Sequence, residues 1–70
     1  MNTENYDNAK KILAAIEGMI ANEKDADKLH GLQTARRYLK FACNHLRNDN
    51  LDDAGRCLEV AHKAFKEAMA

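Results

Sequence analysis

The sequence contains no proline and no tryptophan, and only three of its 70 residues are glycine. Proline and glycine interrupt helices more strongly than other residues, so their scarcity leaves long stretches free to be helical. No apolar run approaches the roughly 20 residues that a membrane helix needs. Residues 1–8 also lack the cationic start and apolar core of a secretory signal. We therefore expect a helical protein of the cytoplasm that does not associate with membranes.

Cysteine is also scarce, since Cys43 and Cys57 are the only two in the chain. Secreted domains of this size usually carry several more cysteines, paired as disulfides. Both thiols fall on the apolar side of helical patterns, where a free cysteine behaves as a small hydrophobic residue. We expect both cysteines to be reduced core residues.

Neither sign of charge is in excess, because eleven basic residues balance eleven acidic ones. Sequence-independent binding to nucleic acid depends on positive charge that neutralises phosphates. The neutral total therefore disfavours nucleic acid as a partner.

The sequence does contain apolar residues at alternating spacings of three and four, the pattern of amphipathic helices. Three such segments are predicted within a single domain of residues 1–70, at about 5–20, 26–47 and 51–68. Asp25 and Asn50 are well placed to cap the second and third helices. The polar breaks between the segments are short, so successive helices must be antiparallel neighbours. We predict an all-α fold, an antiparallel three-helix bundle in an up-down-up arrangement.

The apolar arcs of the three helices are wide for a chain of this length. Met19, Phe41, Val60 and Met69 lie towards their margins. A small domain buries a smaller share of its surface than a large one does. If these side chains converge on one exposed patch, a second copy related by a two-fold axis could cover it. A homodimer is therefore one way in which the bundle could be completed.

The second helix carries a basic stripe along one side. At 100° per residue, Arg36, Lys40 and Arg47 fall within about 40° of one another. Guanidinium groups bind carboxylates and phosphates through paired hydrogen bonds. We predict a partner- or anion-binding surface here, for which a protein with an acidic surface is the favoured occupant. The alternative is a solvated face without a function. The basic stripe and its polar flank comprise Arg36, Arg37, Lys40, Arg47, Gln33 and Asn44.

Tyr38, Phe41 and His45 extend the apolar side of the same helix. They are candidates for lining a ligand groove. The alternative is that His45 lies at the edge of the core, with a ring nitrogen bonded to a backbone group.

Histidine and cysteine could bind zinc, but their spacing does not suit a metal site. Cys43 and His45 are two positions apart and diverge by about 160° around a helix. The sequence contains no CxxC, HExxH, GxSxG or glycine-rich phosphate motif. We therefore expect no catalytic residues, no metal site and no cofactor, and we predict that the protein is not an enzyme.

These observations predict a small non-catalytic interaction module, an adaptor, inhibitor or regulator that binds a partner through a helix face. One alternative is an oligomer that binds a nucleotide or another small anionic ligand at a subunit interface. In that case Arg36, Arg37 and Lys40 would meet the phosphate and Tyr38 would stack on the ring. A second alternative is nucleic-acid binding through the basic helix 26–47.

Overall fold

A computed structural model describes residues 3–70 of the chain. Three helices follow one another: α1 (Thr3–Asn22), α2 (Ala26–Arg47) and α3 (Leu51–Met69). The described part of the chain contains no strand. The prediction of an all-α three-helix bundle is confirmed. α2 has its predicted bounds, whereas α1 extends two residues beyond its predicted range at each end and α3 one residue further at its C-terminus.

α2 begins at the predicted cap. The Oδ1 atom of Asp25 accepts hydrogen bonds from the backbone N–H groups of Asp27, at 2.9 Å, and Lys28, at 3.1 Å. These donors lie in the first helical turn, where no earlier carbonyl of the helix can accept from them. The cap therefore fixes the start of α2 and so its register along the bundle.

The turn between α2 and α3 reverses the chain within three residues. The N–H of Asn50 donates to the carbonyl of His45 at 2.8 Å, and the N–H of Asp49 donates to that of Leu46 at 3.2 Å. Together with a φ of 57° at Asp49, these bonds form a Schellman motif. Asn50 occupies the N-cap position of α3, as predicted, but its side chain accepts no hydrogen bond from the backbone of the first turn. Its Nδ2 donates to the Asp53 carboxylate at 2.7 Å, so the nearby acid occupies the amide.

α2 and α3 share the more extensive of the two helix contacts, and small residues form the seam between them. A Cβ atom built on Gly31 would lie 2.6 Å from the Cβ of Ala68, so the helices are too close at this point for any side chain. Small side chains let helix axes approach one another closely. The alanines of the seam are at most 4% exposed: Ala35, Ala42, Ala54 and Ala61.

α1 packs on a different flank of α2, through larger side chains. Leu13 and Ile16 of α1 share a core cluster with Leu32 and Leu39 of α2. Within residues 3–70, however, no Cα atom of α1 comes within 8 Å of a Cα atom of α3. The backbones of α1 and α3 therefore stand apart, and α2 is the only described helix whose backbone comes close to both of the others.

The substitution Gly31→Ala is expected to lower the free energy of unfolding by about 1–3 kcal/mol, the usual cost of overpacking. The added methyl group would meet Ala68 across the seam. Urea denaturation followed by circular dichroism measures the change.

Gly55→Ala is the matched control, because a Cβ at this helical glycine has no neighbour within 4 Å. It should raise the free energy of unfolding by about 0.5–1 kcal/mol through helix propensity alone. If both variants gained stability equally, the two helices could separate at Gly31 without cost, and the seam would not be tight.

Candidate protein-interaction surfaces

The basic stripe of α2 is accessible in the structure. Arg37, Lys40 and Arg47 are exposed, and Arg36 is half-buried. Among residues 3–70, no carboxylate forms an ion pair with any of these four cations. The remaining two predicted members, Gln33 and Asn44, are also exposed. The stripe is therefore not held in place by direct ion pairs with acidic residues of α3.

The three predicted groove residues of α2 form a partly buried aromatic edge. The ring centroids of Tyr38 and Phe41 are 5.8 Å apart, and the rings meet edge to face at 88°. Tyr38 packs against the main core cluster and His45 is half-buried, whereas Phe41 is 45% exposed.

Tyr38 and the centre of the basic stripe lie on different sides of α2, whereas Phe41 lies one helical turn from Arg37. Residues two positions apart on a helix, such as Tyr38 and Lys40, diverge by about 160°. One ligand could not stack on Tyr38 and bind Lys40 of the same chain. The structure therefore does not bring these two predicted sets into a single site.

A groove that the sequence did not predict separates α1 from α3. Its volume is about 510 Å³. Leu39 of α2 contributes to its floor, and Ile12, Ala15 and Met19 form its α1 wall. The Ile12 side chain is 51% exposed, although it is large and apolar.

The α3 wall of the groove combines apolar side chains with a histidine and a cationic lysine. Leu58 and Phe65 lie beside His62 and Lys66. His62 and Lys66 are the only two ionisable residues among those described that line the groove, and both are exposed. The groove is thus apolar along its length and basic along one border.

The two ends of the groove differ. At one end, Ala15 and Met19 also border a shallower hollow lined by Asn22, Glu23 and Lys28. At the other end, Ala9 of α1 and Ala54 of α3 belong to one buried cluster with Cys43 and Leu46 of α2. The second core cluster therefore fills the space between the helices there: Ala9, Cys43, Leu46 and Ala54.

Periodicity alone could not reveal this groove. It identifies the apolar side of each helix, but not the angle that two helices make around a third. The available signal was the width of the α1 arc, because Ile12 and Met19 extend the apolar side beyond the row that contacts α2.

No known protein family matches the chain, and neither a curated protein nor a solved structure is significantly similar to it. No helix in residues 3–70 is long and apolar enough to span a bilayer. In the same residues, no three histidine, cysteine, aspartate or glutamate side chains are grouped closely enough to hold a metal ion.

Both cysteines are free thiols, but their surroundings differ. Cys43 is buried in the second core cluster, as predicted, whereas Cys57 is only half-buried. Burial raises the pKa of the Cys43 thiol, against a smaller opposing effect of the Lys10 charge. Since the thiolate is the nucleophile, this shift opposes reactivity at Cys43.

Iodoacetamide is expected to alkylate Cys43 at least about tenfold more slowly than Cys57 near neutral pH, because the Cys43 thiol is covered and remains protonated. Its rate should still be rising with pH where the rate of an ordinary thiol has levelled off, because burial raises the pKa of Cys43. Peptide mass spectrometry of timed samples measures both rates. In denaturant the two rates should converge, and equal rates in the native protein would contradict the burial of Cys43.

Proposed function

We propose that this protein is a small non-catalytic interaction module, an adaptor, inhibitor or regulator acting in the cytoplasm, that binds a helix of a partner protein between α1 and α3. The observation that carries this proposal is the open side of the bundle. Exposed apolar surface concentrated in a groove is typical of sites for other proteins.

The helix contacts support a helical occupant. In a four-helix bundle each helix packs against two neighbours, while diagonal helices do not touch. The backbones of α1 and α3 both approach that of α2 but not each other within residues 3–70, which is the relation of a diagonal pair. The groove therefore lies where a fourth helix would pack.

The dimensions of the groove fit a short helix. Its α1 wall extends from Ile12 to Met19, which at 1.5 Å per residue is about 12 Å, or roughly two turns. Amphipathic helices bind such grooves through apolar residues spaced three and four apart. Complete burial of an isoleucine side chain contributes about 1.5–3 kcal/mol, and Ile12 has half of that still to gain.

The basic stripe supports a second contact, with an acidic surface. Its cations are not paired with carboxylates in residues 3–70, so an acidic partner would not have to break ion pairs in order to bind. Arginine and lysine at the edge of an interface mainly accelerate association and select partners by charge. We therefore assign the stripe a supporting role in recognition of a protein.

Ala15→Glu is expected to reduce recovery of the partner at least about tenfold in affinity purification from cells that contain the protein. The substitution places a charge in the apolar groove, and tenfold corresponds to only about 1.4 kcal/mol.

Ala14→Glu is the matched control for that experiment. The two alanines are adjacent and both exposed, but only Ala15 lines the groove. Circular dichroism should show the same helix content in both variants. If every specifically recovered protein were retained equally by the two variants, the groove would not be the binding site.

Charge reversal of the stripe, Arg36→Glu with Lys40→Glu, is expected to weaken binding of an acidic partner at least about tenfold. Stability should change by less than about 0.5 kcal/mol per surface site. The control variant Lys24→Glu with Lys63→Glu makes the same change in net charge at two exposed lysines outside the stripe. Affinity and melting temperature are measured for both variants, and unchanged affinity in the first would show that the stripe is solvated surface.

A further inference from the structure

We infer that the occupant of the groove is an amphipathic helix of a different protein, with aspartate or glutamate along the border of its apolar stripe that faces α3. This inference rests on the proposed function and specifies the chemistry of the partner.

The two walls of the groove differ in charge. On the α3 wall, His62 and Lys66 are one helical turn apart and both exposed. The α1 wall contributes only uncharged side chains to the groove, and no carboxylate among the described residues lines it. In the adjoining hollow, Glu23 and Lys28 have opposite charges and add no net charge. An occupant therefore meets positive charge along one border and none along the other.

Residues one turn apart on an occupant can match this border. Carboxylates at positions i and i+4 lie on the same side of a helix, about 6 Å apart, as His62 and Lys66 do on α3. Acidic side chains on that border alone would also fix the rotation of the occupant about its own axis. The charge pattern thus selects among helices with similar apolar stripes.

The helix dipoles favour one direction for the occupant. α1 and α3 run parallel, so the C-terminal ends of both lie beside the hollow that contains Asn22 and Met69. Both ends carry partial negative charge, which favours the positive N-terminus of an occupant at the same end. Lys66 lies in the last turn of α3. The acidic residues are therefore expected in the N-terminal half of the occupant, where the dipole of the occupant also favours them.

Neither α1 nor α2 of a second copy matches these requirements. The outward side of α1 presents Lys10, Lys11 and Glu17 rather than a second apolar stripe. The outer row of α2 contains the exposed Phe41, but it is flanked by Arg37 and would bring like charge to the α3 wall. Like charges across an interface oppose association. The charges therefore favour a partner that supplies acidic side chains of its own.

A displayed library of designed amphipathic helices tests the inference. Leucine is fixed at the apolar positions, and both borders of the stripe are randomised among glutamate, glutamine and lysine. The full chain serves as bait, and clones that also bind the Ala15→Glu variant are removed. We expect glutamate to exceed lysine about threefold on one border of the enriched helices, with no preference on the other, from one exposed ion pair with Lys66.

The bait His62→Glu with Lys66→Glu should reverse this preference, so that lysine is enriched on the same border. Lys63→Glu is the matched control, because Lys63 is exposed on α3 but does not line the groove. The control bait should keep the preference for glutamate.

The possible failures are distinguishable. Enriched helices that bind the natural chain but not the Ala15→Glu variant, and that show no charge preference, would overturn the inference and leave the proposed function in place. The absence of any Ala15-dependent helix would overturn both. Sedimentation equilibrium of the free chain adds a third outcome: a dimer that Ala15→Glu dissociates would assign the groove to a second copy and overturn the inference.

Discussion

The close approach of α2 and α3 at Gly31 determines how the rest of the molecule is arranged. Because small residues occupy this seam, the large residues of α3, Leu58 and Phe65, lie to one side of it. α1 is held on another flank of α2 by leucine and isoleucine, which keep helix axes further apart. The α2–α3 and α1–α2 contacts lie on different flanks of α2 and hold the helix axes at different distances, so α1 and α3 remain separated. The groove is the direct result of that difference in side-chain size.

The neutral total charge of the chain conceals an uneven distribution. Residues 26–47 contain five basic residues and one acidic residue, whereas Asp49, Asp52 and Asp53 cluster around the start of α3. No ion pair joins the basic stripe to Asp52 or Asp53, and the border of the groove that carries Lys66 lies on the later turns of α3. Both candidate surfaces therefore present positive charge, although the protein as a whole has none. A partner with acidic side chains would be attracted to either surface.

The helices could be predicted from the sequence because each one is amphipathic with short polar breaks between them. Asp25 could be identified as a cap for the same local reason. The side-chain bond of Asn50 is local as well, since its Nδ2 donates to Asp53 and its side chain makes no bond to the backbone of α3. These are interactions between residues that are close in the sequence.

The groove depends instead on the relative position of helices that are distant in the sequence. Ile12 and Phe65 each fit an ordinary core stripe, and nothing in either pattern indicates that they line opposite walls of one groove. The side of α2 that carries the basic stripe could be predicted, because helix geometry alone places Arg36 and Lys40 together. The absence of ion pairs between the stripe and carboxylates could not be predicted, because it depends on where α3 directs its acidic side chains.

The weaker attachment of α1 has a consequence for local unfolding. Among the described residues the backbone of α1 approaches only that of α2, and α1 contributes three buried side chains, whereas α2 and α3 share the more extensive contact. In native-state hydrogen exchange, such a helix opens at a lower free energy than the elements that form the main contact. When α1 opens, one wall of the groove is lost. Occupancy of the groove and attachment of α1 must therefore stabilise each other by equal amounts, so a change at Ala9 or Leu13 would alter affinity at a surface that neither residue touches.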